Sequence, residues 1–191
     1  MEDIVQEIGD QLSLFTKSPS MKDSFWKFHQ DAFKLLQCNN PGGFDMASMK
    51  ARIEYNRRIS YAPLGRKLVE KIATEWLPPG ELLVSVAAGL GVWERVLESL
   101  YGMNVYCSDA GLGKYHNADS TGSTLKGAYT TVYVELGIET IRKMANPEKG
   151  ALFLCWLPYQ NTWDVEMLNL YHQRGGNRII ILGESEGGCT A

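Results

Sequence analysis

The chain has 191 residues, of which 45% are hydrophobic and 21% charged, a composition typical of a globular domain. Its formal net charge of −3 argues against a protein that coats nucleic acid. Its cysteines and histidines lack metal-ligand spacing, and it shows neither a secretory signal nor an apolar run of the roughly 20 residues that span a bilayer. We therefore expect a cytoplasmic or nuclear protein with reduced thiols, no bound metal and no membrane contact.

The first 77 residues predict a helical extension without strands. Apolar residues recur at helical spacing in three stretches, which begin near Asp23, Asp45 and Pro63. The inward faces that this spacing predicts are Phe25, Phe28, Ala32 and Leu36 in the first helix, Met46, Met49 and Ile53 in the second, and Leu64, Leu68 and Ile72 in the third. A Pro-Pro-Gly run at residues 78–80 then marks the boundary to a core domain over residues 78–191.

In this core domain, short apolar runs alternate with amphipathic stretches. The apolar runs predict strands at residues 82–87, 104–108, 129–134, 151–156 and 178–182. The amphipathic stretches predict helices at residues 91–100, 138–144 and 161–172. Alternating strands and helices favour an α/β, Rossmann-like three-layer fold, whose mainly parallel sheet we expect in the order 3-2-1-4-5.

The first strand leads through the glycine turn SVAAGLG, at residues 85–91, directly into a helix. Such a turn lets a nucleotide-like ligand approach the backbone, and we expect the Cα atoms of Gly89 and Gly91 to face that ligand. No third glycine completes GxGxxG, and no GKS or GKT follows, which excludes a dinucleotide pyrophosphate site and a P-loop. Asp109, eighteen residues after Gly91, ends the second strand, where a carboxylate can accept bonds from two ribose hydroxyls. The alternative is a tight turn with a purely structural role.

Four segments, in this order along the chain, carry a family resemblance. They are RISYAP at residues 58–63, SVAAGLGVWERVLESLYGMNVYCSD at 85–109, LFLCWLPY at 152–159 and IIILGESEGGCTA at 179–191. Together they resemble an uncharacterised class I S-adenosylmethionine-dependent methyltransferase-like family of microbes, fungi and viruses. The resemblance implies S-adenosylmethionine as cofactor and methyl transfer to an acceptor that the sequence does not identify.

The resemblance also implies a set of site residues. The implied cofactor-binding residues are Ser85, Ala87, Gly89, Gly91, Trp93, Asp109 and Trp156. Tyr159 corresponds to the aromatic residue of an acceptor-binding segment, and Glu184 follows the fifth strand at the edge where ligands bind in such sheets; both are candidate catalytic residues.

Several residues depart from the methyltransferase pattern. Ser85 replaces the usual acidic residue of the first motif, and Ala87 replaces its first glycine, a change that costs little if the φ angle stays negative. Trp156 and Leu157 replace the polar residue and the proline that amino-methylating enzymes carry there. These departures leave open a catalytically inactive module, retained for binding or assembly.

The segment between Lys50 and Lys67 is strongly basic. It contains six basic residues and a single acidic one, Glu54, so it carries a formal charge of +5 while the remainder of the chain carries −8. The basic residues are Lys50, Arg52, Arg57, Arg58, Arg66 and Lys67. They predict either a solvated helix face or a site for an anionic partner such as RNA, which would make the protein RNA-binding or RNA-modifying.

Overall fold

The computed structural model describes residues 10, 19–36, 46–111, 124–157 and 162–183. The described part of the first 77 residues contains no strand and three helices. These are α1 (Pro19–Leu36), α2 (Met46–Arg58) and α3 (Arg66–Lys71), and α3 continues into a π-helical turn over Ile72–Trp76.

The faces that α1 and α2 bury differ from the predicted faces. In α1, Phe25 is buried as expected, but Trp26 and His29 are buried with it and Phe28 is only half-buried. The α2 prediction is wrong at Met49 and Ile53, which are 45% and 48% exposed, and the side chain of Met46 lies outside the described ones.

The face of α2 is instead determined by Tyr55. This side chain is buried, and its hydroxyl lies 3.0 Å from His29 Nε2. Because α2 has few apolar residues, this aromatic contact with its buried polar partner outweighs the methionine spacing. The predicted face of α3 is largely correct, since Leu64 and Ile72 are buried and Leu68 packs against the core.

The remainder of the described chain forms one sheet with helices on both faces. The five strands are β1 (Leu82–Val86), β2 (Asn104–Asp109), β3 (Val132–Val134), β4 (Gly150–Cys155) and β5 (Ile179–Leu182). All adjacent strands are parallel, in the order β3-β2-β1-β4-β5. This arrangement confirms the predicted α/β, Rossmann-like fold class and strand order.

Three further helices connect the strands: α4 (Val92–Tyr101), α5 (Gly137–Lys143) and α6 (Trp163–Gln173). Successive strand residues point to opposite faces, which separates two cores. Leu83 and Phe153 pack with α1 to α4 on one face, and Val84 and Leu154 pack with α5 and α6 on the other. Among the described helices, none has the length and apolar character needed to cross a membrane.

The observed strands differ from the predicted ones at their ends, most clearly in β1, β3 and β4. Strands β1 and β4 end before Ala87 and Trp156, because these residues have φ angles of +57° and +63°, which no strand accommodates. Strand β3 begins at Val132, because Tyr129 belongs to a turn in which its backbone N–H donates to Leu90 O at 2.8 Å.

Two glycines in the left-handed conformation bound α4. Gly91 before the helix has a φ angle of +67°, and Gly102 after it has +68°. A Cβ atom at Gly91 would lie 2.8 Å from Thr130 Cγ2 and 2.9 Å from Val132 Cγ2, whereas nothing lies within 4 Å of one at Gly102.

We expect Gly91→Ala to destabilise the protein more than Gly102→Ala. Both variants place alanine in the left-handed region, at a cost of roughly 1–2 kcal/mol. Only Gly91→Ala must also displace two side chains, which adds about 1–3 kcal/mol. Urea denaturation of both variants measures the difference, and equal losses would contradict the packing argument.

Candidate functional site

The carboxyl ends of β1, β2 and β4 meet at one edge of the sheet. In register, Val86 at the end of β1 lies between Ser108 of β2 and Leu154 of β4. The order of the strands reverses between β1 and β4, since β2 lies on one side of β1 and β4 on the other. In open α/β sheets this switch point opens the crevice in which ligands bind.

Asp109 ties the glycine turn after β1 to the end of β2. Its Oδ2 accepts a hydrogen bond from the Gly89 backbone N–H at 2.9 Å, and its Oδ1 accepts one from the Gly111 N–H at 2.8 Å. The Ala88 N–H also crosses to β2, donating to Ser108 O at 3.0 Å. A carboxylate has about four acceptor positions, so Asp109 retains the capacity to accept two ligand hydroxyls.

The same edge carries backbone strain. Among the described residues other than glycine, only Ala87 and Trp156 have positive φ angles, and they directly follow β1 and β4. Alanine in place of glycine at position 87 would cost little only with a negative φ angle, and the observed angle is positive. Strained backbone of this kind clusters at functional sites, and here it occurs on two adjacent strands at the switch point.

A buried carboxyl group, that of Glu94, lies beside the turn. Glu94 is the third residue of α4 and is 2% exposed, and its Oε1 accepts a hydrogen bond from Ser85 Oγ at 2.5 Å. Burial raises its pKa to about 7, assisted by the negative charge of Asp109 and opposed by hydrogen bonds from Ser85 and from its own backbone N–H. Ser85, which stands where the resemblance implies an acidic residue, is thus bonded to a carboxyl group from α4.

Trp93 is directed away from the crevice, into the protein. Its indole is 2% exposed, and its Nε1–H lies 2.6 Å from Ala62 O and 3.1 Å from Ser60 Oγ. Tyr129, whose backbone bonds to the glycine turn, donates its hydroxyl to Arg58 O at 3.0 Å. These bonds hold residues 58–62 beside the turn, so two of the sequence segments that carried the resemblance are neighbours in space.

An aromatic cluster behind Trp93 joins the helical extension to α4. The rings of Phe25, Trp26, Tyr55 and Trp93 all lie within 6.3 Å, centroid to centroid, of the buried His29 ring. Burial lowers the pKa of His29 to about 4, so its imidazole is neutral at pH 7. This histidine therefore serves packing and a hydrogen bond to Tyr55.

The described cysteines are not activated as nucleophiles. Burial raises the pKa of both Cys107 and Cys155, and the charge of Glu94 raises them further. Because the thiolate is the reactive form, these protonated thiols are chemically inert.

A polar network at the end of β3 is satisfied internally. Glu135 accepts hydrogen bonds from Tyr106 at 2.8 Å and from Thr140 at 2.9 Å, and it pairs with Lys143. Although burial opposes its charge, bonds from Lys143, Tyr106 and Thr140 hold the pKa of Glu135 below its usual value.

The structure brings most of the predicted site residues to this one edge but gives them different surroundings. Ser85, Ala87, Gly89, Asp109 and Trp156 lie at or next to the strand ends. A Cβ atom at Gly91 would meet Thr130 and Val132, while the expected contact of its Cα with a ligand stays a prediction. The buried indole of Trp93 faces the helical extension. Tyr159 and Glu184 lie outside the described residues.

Glu94 and the role of residues 58–62 were not predicted from the sequence. One signal for Glu94 was present, because a glutamate at the third position of a helix commonly satisfies the free N–H groups of its first turn. The burial of that glutamate could not be inferred, since only the packing of α4 on β1 shows that it points at Ser85.

The arginines of the basic segment are largely paired. Glu54 lies 3.0 Å from Arg58 and 4.0 Å from Arg57, while Arg66 contacts Asp23 and Glu70, each at 2.9 Å. These partners favour the solvated helix face, and an RNA partner stays a prediction.

The described residues contain no group of three or more His, Cys, Asp or Glu side chains that could hold a metal ion. Comparison of the chain with protein-family models, with curated proteins and with solved structures gives no match. Inferences about the function therefore depend on the geometry of the crevice.

We expect Ala87→Gly to stabilise the protein by up to about 1 kcal/mol. Glycine removes the penalty of a left-handed alanine, and part of this gain is lost to the greater freedom of the unfolded chain. Ala88→Gly is the matched control, because Ala88 has no positive φ angle and glycine there should destabilise by about 0.5–1 kcal/mol. Thermal denaturation compares the two variants. A loss of stability in Ala87→Gly would contradict the inference that the backbone of Ala87 is strained.

We expect Glu94 to make the folded protein less stable as the pH rises. Its folded pKa of about 7 lies above the ordinary 4.5, so the folded state holds this proton more tightly. This contribution is fully present below about pH 4.5, falls between there and pH 7, and is then constant. Relative to Glu94→Gln, the wild type should lose up to about 3 kcal/mol across this window.

Urea denaturation at pH 4.5, 6 and 8 measures that difference. Glu98→Gln, one turn later on α4, is the control for loss of a partly exposed carboxylate. A difference between the wild type and Glu94→Gln that is independent of pH would show that Glu94 does not titrate as its burial requires.

Proposed function

We propose that the crevice at the ends of β1, β2 and β4 binds S-adenosylmethionine and that the protein transfers its methyl group to an acceptor. The observation that carries this proposal is the pair of carboxyl groups at the glycine turn. Asp109 bonds to the Gly89 N–H, and Glu94 is buried in the first turn of α4.

These carboxyl groups disfavour a phosphate ligand. A helix amino terminus attracts anions through its unpaired N–H groups and its dipole. Here these N–H groups already have partners within the protein. The Gly89 N–H donates to Asp109, and the Ala88 N–H donates to Ser108 O. The Glu94 N–H donates to the carboxyl group of the same residue. A ligand with a sugar diol and a positive charge suits these surroundings better than a pyrophosphate.

The residues of the crevice fit such a cofactor. Asp109 has free acceptor positions for the two ribose hydroxyls, and the backbone around Ala88 and Gly89 carries no bulky side chain. Trp156, half-buried at the end of β4, would form the opposite wall.

When bound, S-adenosylmethionine supplies an electrophilic methyl group on its sulfonium. The task of the chain is then to position two reactants, which needs no covalent nucleophile and agrees with the protonated state of Cys107 and Cys155. In this proposal Tyr159 and Glu184 are the predicted contacts of the acceptor.

A second candidate is a module that binds the cofactor without transferring its methyl group. It is favoured by Leu157, which is buried in the core at a position where amino-methylating enzymes carry part of their acceptor site. Cofactor binding without transfer of labelled methyl to protein, RNA or small-molecule fractions would favour this candidate.

We expect Asp109→Asn to weaken S-adenosylmethionine binding by about 10- to 100-fold. Losing the charge removes charge-assisted hydrogen bonds worth roughly 1.5–3 kcal/mol. Titration calorimetry measures the affinity, and circular dichroism verifies the fold, because Asp109 also holds the glycine turn. Asp23→Asn, which removes an exposed carboxylate on α1, should bind like the wild type. A folded Asp109→Asn protein with unchanged affinity would exclude Asp109 from the site.

A further inference from the structure

Glu94 is surrounded by strand residues on the side of the sheet that α4 covers. Its carboxyl group contacts Ser85, next to the carboxyl end of the central strand β1, and its charge influences both Cys107 on β2 and Cys155 on β4. Hydrogen bonds from Ser85 and from its own backbone N–H oppose the effect of burial on the pKa of Glu94. A buried carboxylate in such surroundings gains strongly from any positive charge that arrives nearby.

We propose that Glu94 makes the crevice selective for the charge of the cofactor: it releases its proton when the sulfonium form binds and keeps that proton when the neutral thioether product binds. The inference rests on the proposed function. The released proton passes to the solvent, and no bond to the cofactor is formed.

The magnitude of the expected effect follows from electrostatics. A unit positive charge about 8 Å from a carboxylate, at an effective dielectric constant of about 20, strengthens the deprotonated form roughly 30-fold. Because Glu94 titrates near pH 7, it has its proton most of the time at pH 6 and has lost most of it at pH 8. Binding that requires the deprotonated form should therefore strengthen about 10-fold between these two pH values.

Asp109 has a different role in the proposed site and is unchanged in every variant compared. In the proposed site it contacts the ribose, which the sulfonium and thioether forms share. Glu94 follows the turn by three residues and its carboxyl group bonds to Ser85 Oγ, so we expect it to act on the cofactor through its charge.

The titratable and charged groups around Glu94 come from each neighbouring element. They are Asp109 and Cys107 on β2, Cys155 on β4, Arg95 and Glu98 on α4, and His29 and Tyr55 behind Trp93. Burial keeps the two thiols and the Tyr55 hydroxyl protonated and the His29 imidazole neutral between pH 6 and pH 8.

The test is titration calorimetry of the full chain with S-adenosylmethionine and with S-adenosylhomocysteine at pH 6, 7 and 8. The proteins are the wild type, Glu94→Gln and the control Glu98→Gln. Two buffers with different ionisation enthalpies give the number of protons released. The amino group of each ligand titrates alike with all three proteins, so the comparison between proteins isolates Glu94.

We expect the wild type and Glu98→Gln to gain about 10-fold in S-adenosylmethionine affinity between pH 6 and pH 8, beyond any change in Glu94→Gln. At pH 8, Glu94→Gln should bind S-adenosylmethionine about 30-fold more weakly than the wild type and S-adenosylhomocysteine equally well. Proton release to the buffer should accompany only the sulfonium ligand, and only when Glu94 is present.

Ser85→Ala provides a second, independent variant if Glu94→Gln does not fold. It keeps the carboxyl group of Glu94 but removes the hydrogen bond that lowers its pKa. The rise in S-adenosylmethionine affinity should therefore move to higher pH, whereas a purely structural role of the pair would leave its midpoint unchanged.

The outcomes separate the two proposals. A wild type that binds neither ligand overturns the proposed function. A wild type that binds both ligands, with Glu94→Gln weakening both equally or neither, overturns the role of Glu94 and leaves the proposed function in place. For Ser85→Ala, an unchanged midpoint has the same consequence.

Discussion

The carboxylate of Asp109 is the interaction on which the crevice depends. One of its oxygens holds the turn that follows β1 and the other holds the chain that follows β2, so two strand ends are fixed at one point. The free N–H groups of a strand-to-helix turn would otherwise require water or an anion. Because Asp109 satisfies the Gly89 N–H within the protein, the turn is formed before any ligand arrives. The negative charge of Asp109 also makes the turn less favourable for a phosphate group.

This edge of the sheet also concentrates unfavourable energy. Ala87 and Trp156 have left-handed backbone conformations. Glu94 is buried, and this burial raises the pKa of its carboxyl group to about 7. Each feature is costly by itself, and such costs persist only where the surrounding structure enforces them. Their occurrence on adjacent strands, at the switch point of the sheet, is the strongest structural reason to place function there.

The helical extension contributes to the same region. The indole of Trp93 bonds to Ala62 O and thereby fixes residues 58–62 against the start of α4. Behind it, His29 and Tyr55 form a buried polar pair within the aromatic cluster. The first turn of α4 is thus held between the sheet and the extension. This arrangement keeps the carboxyl group of Glu94 close to Ser85 and away from water.

Local patterns in the sequence determined the layered architecture. Alternating apolar runs and amphipathic stretches, separated by glycine and proline, were sufficient for the five strands, and the parallel alternation favoured the observed strand order. They also brought Ser85, Gly89 and Asp109 to one edge, because the carboxyl ends of parallel strands lie together.

Only the tertiary structure decided what these residues contact. The helical period could not show that α2 buries Tyr55 rather than Met49, because that choice depends on a histidine from another helix. The sequence likewise left the φ angle of Ala87 open, since it is imposed by bonds that cross from the turn to β2. The proximity of Glu94 and Ser85 arises from a helix packing across a strand nine residues away in sequence, and local propensity contains no information about that contact.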